Sequence, residues 1–242
     1  MITNISGYKF VTLDNLLSIK TELLTFCNSQ AIKGTILLSS EGVNIMLAAE
    51  FAAIQSFEAF LRDKPCFSDI TFKYSESEHQ SYKRMFVKLK KEIITMKQTD
   101  IRPDKYPAPS VKPEVFKKWM DQNKVIVIDT RNDYEYISGS FINAIKLNIS
   151  SFSEFPSAIE QISSSDKEKP VVVFCTGGIR CEKAAPYMLQ HGFKEVYQLE
   201  GGILNYFDKC KGAPYYDGDC FVFDERIAVN TDLKPVSGDS VK

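Results

Sequence analysis

Residues 171–189 read VVVFCTGGIRCEKAAPYML, and their order decides the architecture of the second half of the chain. VVVF at 171–174 is a continuous apolar run, the pattern of a strand buried on both faces of a parallel sheet. Cys175-Thr176-Gly177-Gly178-Ile179-Arg180 follows as a loop, and helical spacing resumes near Cys181. Strand, loop and helix in that order put the loop beyond the carboxyl end of a strand, where open α/β sheets hold their ligands. Two adjacent glycines permit positive φ and close backbone approach. The loop N–H groups can then turn inward as an anion nest, reinforced by the positive end of the helix. A thiol in that setting should lose its proton more readily, because the thiolate is the stabilised form. Arg180 can offer a forked pair of hydrogen bonds to an oxyanion or a phosphate. A cysteine near glycines is weak evidence by itself; the complete order of buried strand, Cys, Gly-Gly, Arg and helix is specific.

The flanking sequence extends this reading over residues 111–210. PEVFKKWMDQ places Pro113 at a helical first position. VIVID at 125–129 repeats the buried-strand signature, and EVYQL at 195–199 is a third, shorter strand. Helices alternating with such strands predict an α/β fold, a parallel sheet with helices on both faces. Residues 211–242 are left as a C-terminal extension, with the closing SGDSVK read as a frayed tail.

The first 78 residues follow different periods. Tyr8–Leu13 is β-prone, Asn15–Phe26 has helical spacing, and TILLS and VNIML are separated by Glu41-Gly42 as in a hairpin. Phe51–Leu61 is a second amphipathic helix ended by Pro65, and Ile70–Tyr74 is a last strand. The order βαββαβ predicts a ferredoxin-like α+β domain. Residues 79–110 read as a basic strand followed by a Pro-rich linker. Between residues 81 and 118, eleven Lys/Arg face only four acids, so a chain of net charge -1 concentrates its positive charge here. The chain as a whole is no polycation, and any nucleic-acid surface must be this local patch.

The 242 residues allow one large or two ordinary domains, and a hydrophobic fraction of 44% suits a globular protein. The N-terminus lacks a signal-peptide pattern and no apolar run is long enough for a membrane span, so a cytoplasmic address with reduced cysteines is expected. Cys210 and Cys220 lack the tight spacing of a zinc site. His79 and His191 fall in different domains, which argues against a two-His iron site. No dinucleotide fingerprint is present, so neither metal nor flavin is expected.

The loop C-x4-R at Cys175–Arg180 resembles the active loop of rhodanese sulfurtransferases. Asp129-Thr130-Arg131, Glu135-Tyr136 and Gly139 resemble the upstream rhodanese signature, with Ser140 where His is common. Gly192-Phe193 and Val196–Ile203 resemble the downstream one. The N-terminal unit, FVKLKKEI, CTGGIRCEK and CFVFDERIAV together resemble one bacterial family, the rhodanese-domain tRNA uridine hydroxylases, over nearly the whole chain. That resemblance implies hydroxylation of wobble uridine (position 34) to 5-hydroxyuridine, with molecular oxygen as co-substrate, tRNA as partner and Cys175 as the essential residue. Neither DNA nor a membrane is expected as a partner. Many relatives continue into a cysteine-rich tail that this sequence lacks, and Ser153 stands in a segment often basic in them.

Within this frame Lys83, Arg84, Lys88, Lys90 and Lys91 are the candidate tRNA contacts, with Tyr82 and Phe86 available to stack on bases. A solvated basic face is the plainer reading of the same charges. Asp129 and Arg131 are expected to support the active loop rather than to act as acid and base. Cys181 stands either as a resolving thiol for an oxidised Cys175 or as a packed helix residue. The competing activity is a plain sulfurtransferase with a Cys175 persulfide. Phosphatases of related architecture use C-x5-R, one residue longer, to surround a phosphate.

Overall fold

The computed structural model describes residues 1–236; the SGDSVK segment lies outside the described residues. The chain divides into two units, the first ending at Ile94 and the second beginning at Thr95.

The first unit runs β1 (Ile2–Phe10), α1 (Leu16–Ser29), β2 (Lys33–Ser39), β3 (Gly42–Ala49), α2 (Phe51–Arg62), β4 (Lys73–Ser77) and β5 (Met85–Leu89). Its sheet has the order β4-β1-β3-β2-β5, so the four ferredoxin-like strands are present and a fifth is added. β1 begins six residues before the predicted Tyr8, because Thr3 to Phe10 pair with β3 while Ile2 to Ser6 pair with β4. Asn4, Ser6 and Gly7 have poor strand propensity, but two-sided pairing overrides propensity. The buried Asn4 side chain is satisfied by Ser77 Oγ at 2.9 Å. The core is filled from α1 by Leu23 and Cys27, from α2 by Ile54, Phe57 and Leu61, and from the sheet by Ile36, Leu38, Ile45 and Leu47.

The basic strand predicted within 79–110 exists, but it belongs to this sheet. β5 lies parallel to β2, from Gly34 opposite Met85 to Leu38 opposite Leu89. Val87 is buried, whereas Phe86 and Leu89 remain exposed. The Pro-rich remainder is no free linker either. Met96, Ile101 and Ala108 are buried, and Gln198 anchors the segment through its N–H to Pro109 O (3.0 Å) and its side chain to Ala108 O (3.3 Å).

The second unit runs β6 (Ser110–Val111), α3 (Pro113–Asp121), β7 (Ile126–Asp129), α4 (Asp133–Ser138), β8 (Gly139–Phe141), β9 (Ile145–Lys146), α5 (Phe155–Glu160) and α6 (Ser164–Lys167). It continues with β10 (Pro170–Phe174), α7 (Ile179–Gln190), β11 (Glu195–Leu199), α8 (Gly202–Lys209), β12 (Tyr216–Gly218), β13 (Cys220–Phe221) and β14 (Ala228–Val229). Five parallel strands form a sheet of order β6-β11-β10-β7-β9. β10 is its centre, and Val171, Val172, Val173 and Phe174 are all buried, so both faces of the strand are covered and VVVF is apolar throughout.

Residues 211–236 are not an appendage. β12 pairs antiparallel with β8, and Cys220, Val222 and Val229 join Val172, Phe174 and Tyr206 in one core. No helix among the described residues is long and apolar enough to cross a membrane.

Candidate active site around Cys175

Cys175 is the first residue after β10 and is buried, with 2% of its surface exposed. The sheet fixes its backbone and the next turn fixes its sulfur. Gly178 adopts φ 99, which only glycine takes without strain, and its N–H donates to Cys175 Sγ at 3.1 Å. Gly177 does not use positive φ, so one of the two glycines does the conformational work. Helix α7 begins at Ile179, two residues earlier than its predicted start, so Ile179 and Arg180 are helical rather than loop residues. The backbone N–H of Arg180 thereby adds to the groups that favour the Cys175 thiolate.

Burial alone would push the Cys175 thiol up. A hydrogen bond from Cys181, the positive charge of Arg180 and the two backbone N–H groups outweigh it and lower the pKa to about 6. Cys181 moves the opposite way. It has no exposed surface, and burial together with the neighbouring Cys175 raises it well above an ordinary thiol. Cys181 Sγ also meets Thr130 Oγ1 at 3.9 Å, and Thr130 Oγ1 donates to Phe174 O at 2.9 Å.

The guanidinium of Arg180 is not free to fork around an anion, contrary to the sequence reading. It is buried against Glu135, Nη2 donating to Oε1 at 3.0 Å and Nη1 lying 2.8 Å from Oε2 as a charge contact without hydrogen-bond geometry. Glu135 has no exposed surface, so a full carboxylate in that position must draw in a cation. It is itself held by the capping box of α4, with Asn132 N–H donating to Oε2 at 3.1 Å. Phe223, from the C-terminal segment, lies 5.6 Å from the guanidinium on its ring face. Arg180 thus acts on Cys175 through its charge and its backbone.

Asp129 and Arg131 form a second buried pair, joined through Nη2 to Oδ2 at 2.7 Å. Arg131 also donates to Gly139 O at 2.6 Å, and Ser140 Oγ donates to Asp129 Oδ2 at 2.9 Å. Their ties run to the α4–β8 corner rather than to residues 175–180. Support for the loop itself comes from α8. Ile203 N–H donates to Cys175 O at 3.0 Å and Leu204 N–H to Thr176 O at 3.1 Å. Gly202 makes this possible: its φ is +66, and a Cβ there would stand 2.3 Å from Cys175 O. Thr176 turns its hydroxyl toward Cys220, a fully buried thiol pushed up to about 12 by burial.

Sequence reasoning named Cys175, Gly178, Arg180 and Cys181, which the structure brings together. It assigned no role to Glu135, Thr130, Gly202, Cys220 or Phe223. His191 stacks on Tyr187 at 3.8 Å and bonds its carbonyl, while His79 lies in the first unit. Among the described residues, no three His, Cys, Asp or Glu gather as a metal site. Lys83, Arg84, Lys88, Lys90 and Lys91 lie on and beside β5 in the first unit, all exposed, with Lys88 Nζ 4.9 Å from the Phe86 ring centre.

Two family models match the chain, a UPF0176 acylphosphatase-like domain over residues 2–93 and a rhodanese-like domain over residues 112–209. A tRNA uridine(34) hydroxylase of Cupriavidus taiwanensis is 50% identical over 240 residues, 97% of this chain and 85% of that protein. One from Thiobacillus denitrificans is 49% identical over 243 residues, 98% of each. The chain belongs to the tRNA uridine(34) hydroxylase family. A rhodanese-related protein of Thermoplasma volcanium aligns at TM-score 0.37 and 24% identity, over 42% of this chain and 93% of that one. In this member of the hydroxylase family both matched regions fall within single units, and Cys175, Glu135 and Gly202 all lie in the rhodanese-like one.

Proposed function

We propose that this chain hydroxylates uridine 34 of tRNA at C5, using molecular oxygen and the Cys175 thiolate. The observation that carries the reading is the Cys175 sulfur at the end of β10, held by the Gly178 N–H at 3.1 Å with its pKa lowered to about 6, in a chain half identical to named hydroxylases. A thiolate at neutral pH is the group needed to add to C6 of a uracil ring. Addition there makes C5 electron-rich, so oxygen is captured at C5 and the thiolate is later expelled. The fixed N–H groups favour the sulfur in its anionic form before and after the addition.

The tRNA is gripped in this reading by the basic edge of the first unit. Lys83, Arg84, Lys88, Lys90 and Lys91 are exposed and suit phosphates, and Phe86, 43% exposed, offers a face for a base. The target uridine leaves its stack to reach the thiolate, as base-modifying enzymes require.

The test is mass spectrometry of nucleosides after incubating the protein with unmodified tRNA. The expected result is one added oxygen at uridine 34, lost without air and reduced to background, about a thousandfold or more, in Cys175→Ser. Hydroxylation persisting in Cys175→Ser would overturn the role of the thiolate. Unchanged tRNA, with thiocyanate released from thiosulfate and cyanide, would assign the site to sulfur transfer instead.

A further inference from the structure

The turn between β13 and β14 runs Val222-Phe223-Asp224-Glu225-Arg226-Ile227. Its central charges fold back on each other: Arg226 Nε donates to Asp224 Oδ1 at 2.8 Å and Nη2 to Oδ2 at 2.6 Å. Phe223 and Ile227 face water instead, and Phe223 is 47% exposed. A hairpin turn ordinarily shows its charges and hides its rings; this one does the reverse. Ile227 also sits at φ 62, a strained position for a β-branched residue. It is kept there by its N–H to Asp224 O (3.0 Å) and by the Val222 N–H on its carbonyl (2.8 Å). The turn is thus fastened from within while it presents Phe223 outward.

Phe223 belongs to a row of rings. Its centre lies 5.3 Å from that of Phe221, and Phe221 lies 5.2 Å from Tyr134, both pairs edge to face. Tyr134 is 46% exposed, and Ile137, one turn further along α4, is exposed beside it. The row closes on the catalytic loop. Phe223 lies over the Arg180 guanidinium at 5.6 Å, and Glu135, next to Tyr134 in the chain, pairs with the same guanidinium. Arg180 is in the first turn of α7, two residues after Gly178, whose N–H holds the Cys175 sulfur.

We infer that Tyr134 and Phe223, with Phe221 between them, are a stacking wall for an unpaired base flanking uridine 34 of the tRNA. This rests on the hydroxylase reading and adds to it a contact that holds bases instead of phosphates. Cys175 is almost fully buried, so uridine 34 must be turned out of its stack to meet the sulfur. Each neighbouring base then loses a stacking face. A ring beside the catalytic loop replaces that face, and it does so with little loss of freedom because the turn already fixes it. A phosphate suits the wall poorly, since the cations there are engaged with carboxylates: Lys146 with Asp133, and Arg226 with Asp224. An apolar ring row tied to the loop suits the flat face of a base, and stacking accepts any of the four bases.

The experiment measures binding of an anticodon stem-loop RNA to the full-length protein by fluorescence anisotropy, without air so that no turnover occurs. The RNA carries either all its bases or an abasic residue at position 33 or 35. Phe223→Ala should weaken binding of the intact RNA about five- to a hundredfold, the worth of one stacked base, with the slope of log affinity against log salt unchanged. Phe223→Tyr should restore binding and Phe223→Leu should not, because apolar bulk without a ring face does not stack. The deciding result is non-additivity: wild-type protein loses a similar factor on one of the two abasic RNAs, and Phe223→Ala loses little more on that RNA. Tyr134→Ala, at an exposed ring, repeats the cycle if Phe223→Ala does not fold. Full affinity in both alanine variants, or losses that add in full at both flanking positions, would overturn the wall. So would a wild-type dimer that Phe223→Ala converts to monomer, which would assign the rings to a second copy of the chain. The same wild-type protein is assayed in air for 5-hydroxyuridine. Product formed without coupling between ring and base removes the wall and leaves the hydroxylase reading standing. Coupling without product removes the hydroxylase reading and keeps the wall as an RNA contact. Neither product nor coupling removes both.

Discussion

The Cys175 loop and the β5 edge strand carry the two halves of the proposed function, and they are built in opposite ways. Around Cys175 the charged groups are buried and paired: Arg180 on Glu135, Arg131 on Asp129. Along β5 the cations Lys83, Arg84, Lys88, Lys90 and Lys91 face water. The sulfur must be held anionic in a dry setting, so each neighbour is specific and the loss of one is felt in full. A surface that meets phosphates must stay solvated until the partner arrives, so its charges act additively and weakly. Removing one charge should therefore cost several kcal/mol in the first region and almost nothing in the folding of the second.

The largest effect expected from that contrast is Glu135→Gln. Gln keeps the shape but leaves the Arg180 guanidinium buried without a counter-charge, and turns an N–H donor toward it. Breaking a buried pair in this way costs about 3–5 kcal/mol. The matching loss in the strand, Lys88→Gln, should change stability by less than about 0.5 kcal/mol. Urea unfolding of both variants checks the pair. Equal small losses would mean that the Glu135–Arg180 contact is solvated in practice, and the contrast would fail.

The difference also governs what could be read from the sequence. VIVID and VVVF announced a parallel sheet because burial on both faces leaves few polar positions, and EVYQL added a third, shorter strand. The Cys175 loop was legible because its strand, glycines and helix are contiguous. Glu135 and Arg180 are 45 positions apart, and no local pattern shows that two long polar side chains will meet. Gly202 was part of a recognised signature, but its purpose, letting α8 approach the Cys175 carbonyl, depends on the packing of two elements. β5 was read as a strand yet assigned to a linker, since its partner β2 lies about fifty residues earlier and parallel pairing leaves no hairpin to mark it. The C-terminal segment looked like an extension for the same reason: its pairing with β8 is long-range.

A smaller effect follows from the lowered thiol. With a pKa of about 6, Cys175 should react with iodoacetamide at a rate that rises about tenfold per pH unit below 6 and levels off above about 7. An ordinary thiol would keep rising to about 8.5. The linkage sign can be stated for each thiol. The depressed Cys175 contributes stability present above its unfolded pKa and lost as pH falls through about 6, whereas the raised Cys181 loses its contribution as pH rises past the ordinary thiol range. The two trends oppose each other, so the alkylation profile is the cleaner measurement. Cys181→Ala should move the midpoint upward, because it removes a hydrogen bond that favours the thiolate. An unmoved midpoint would mean that the N–H groups and Arg180 suffice.

The smallest effect belongs to the strand. Lys88→Ala should weaken tRNA binding only a few-fold near 0.15 M salt and reduce the slope of log affinity against log salt by about 0.7–0.9, the share of one phosphate contact. Each of Lys83, Arg84, Lys90 and Lys91 should behave alike, and pairs should add, because exposed charges in water do not depend on one another's geometry. The division of labour predicts that KM rises while kcat and the Cys175 alkylation rate stay as they are. A variant in this strand that lowered kcat at saturating tRNA would show that the basic edge does more than bind. It would then have to orient the uridine at the thiolate, and the separation between a wet, additive surface and a dry, all-or-none site would no longer describe this enzyme.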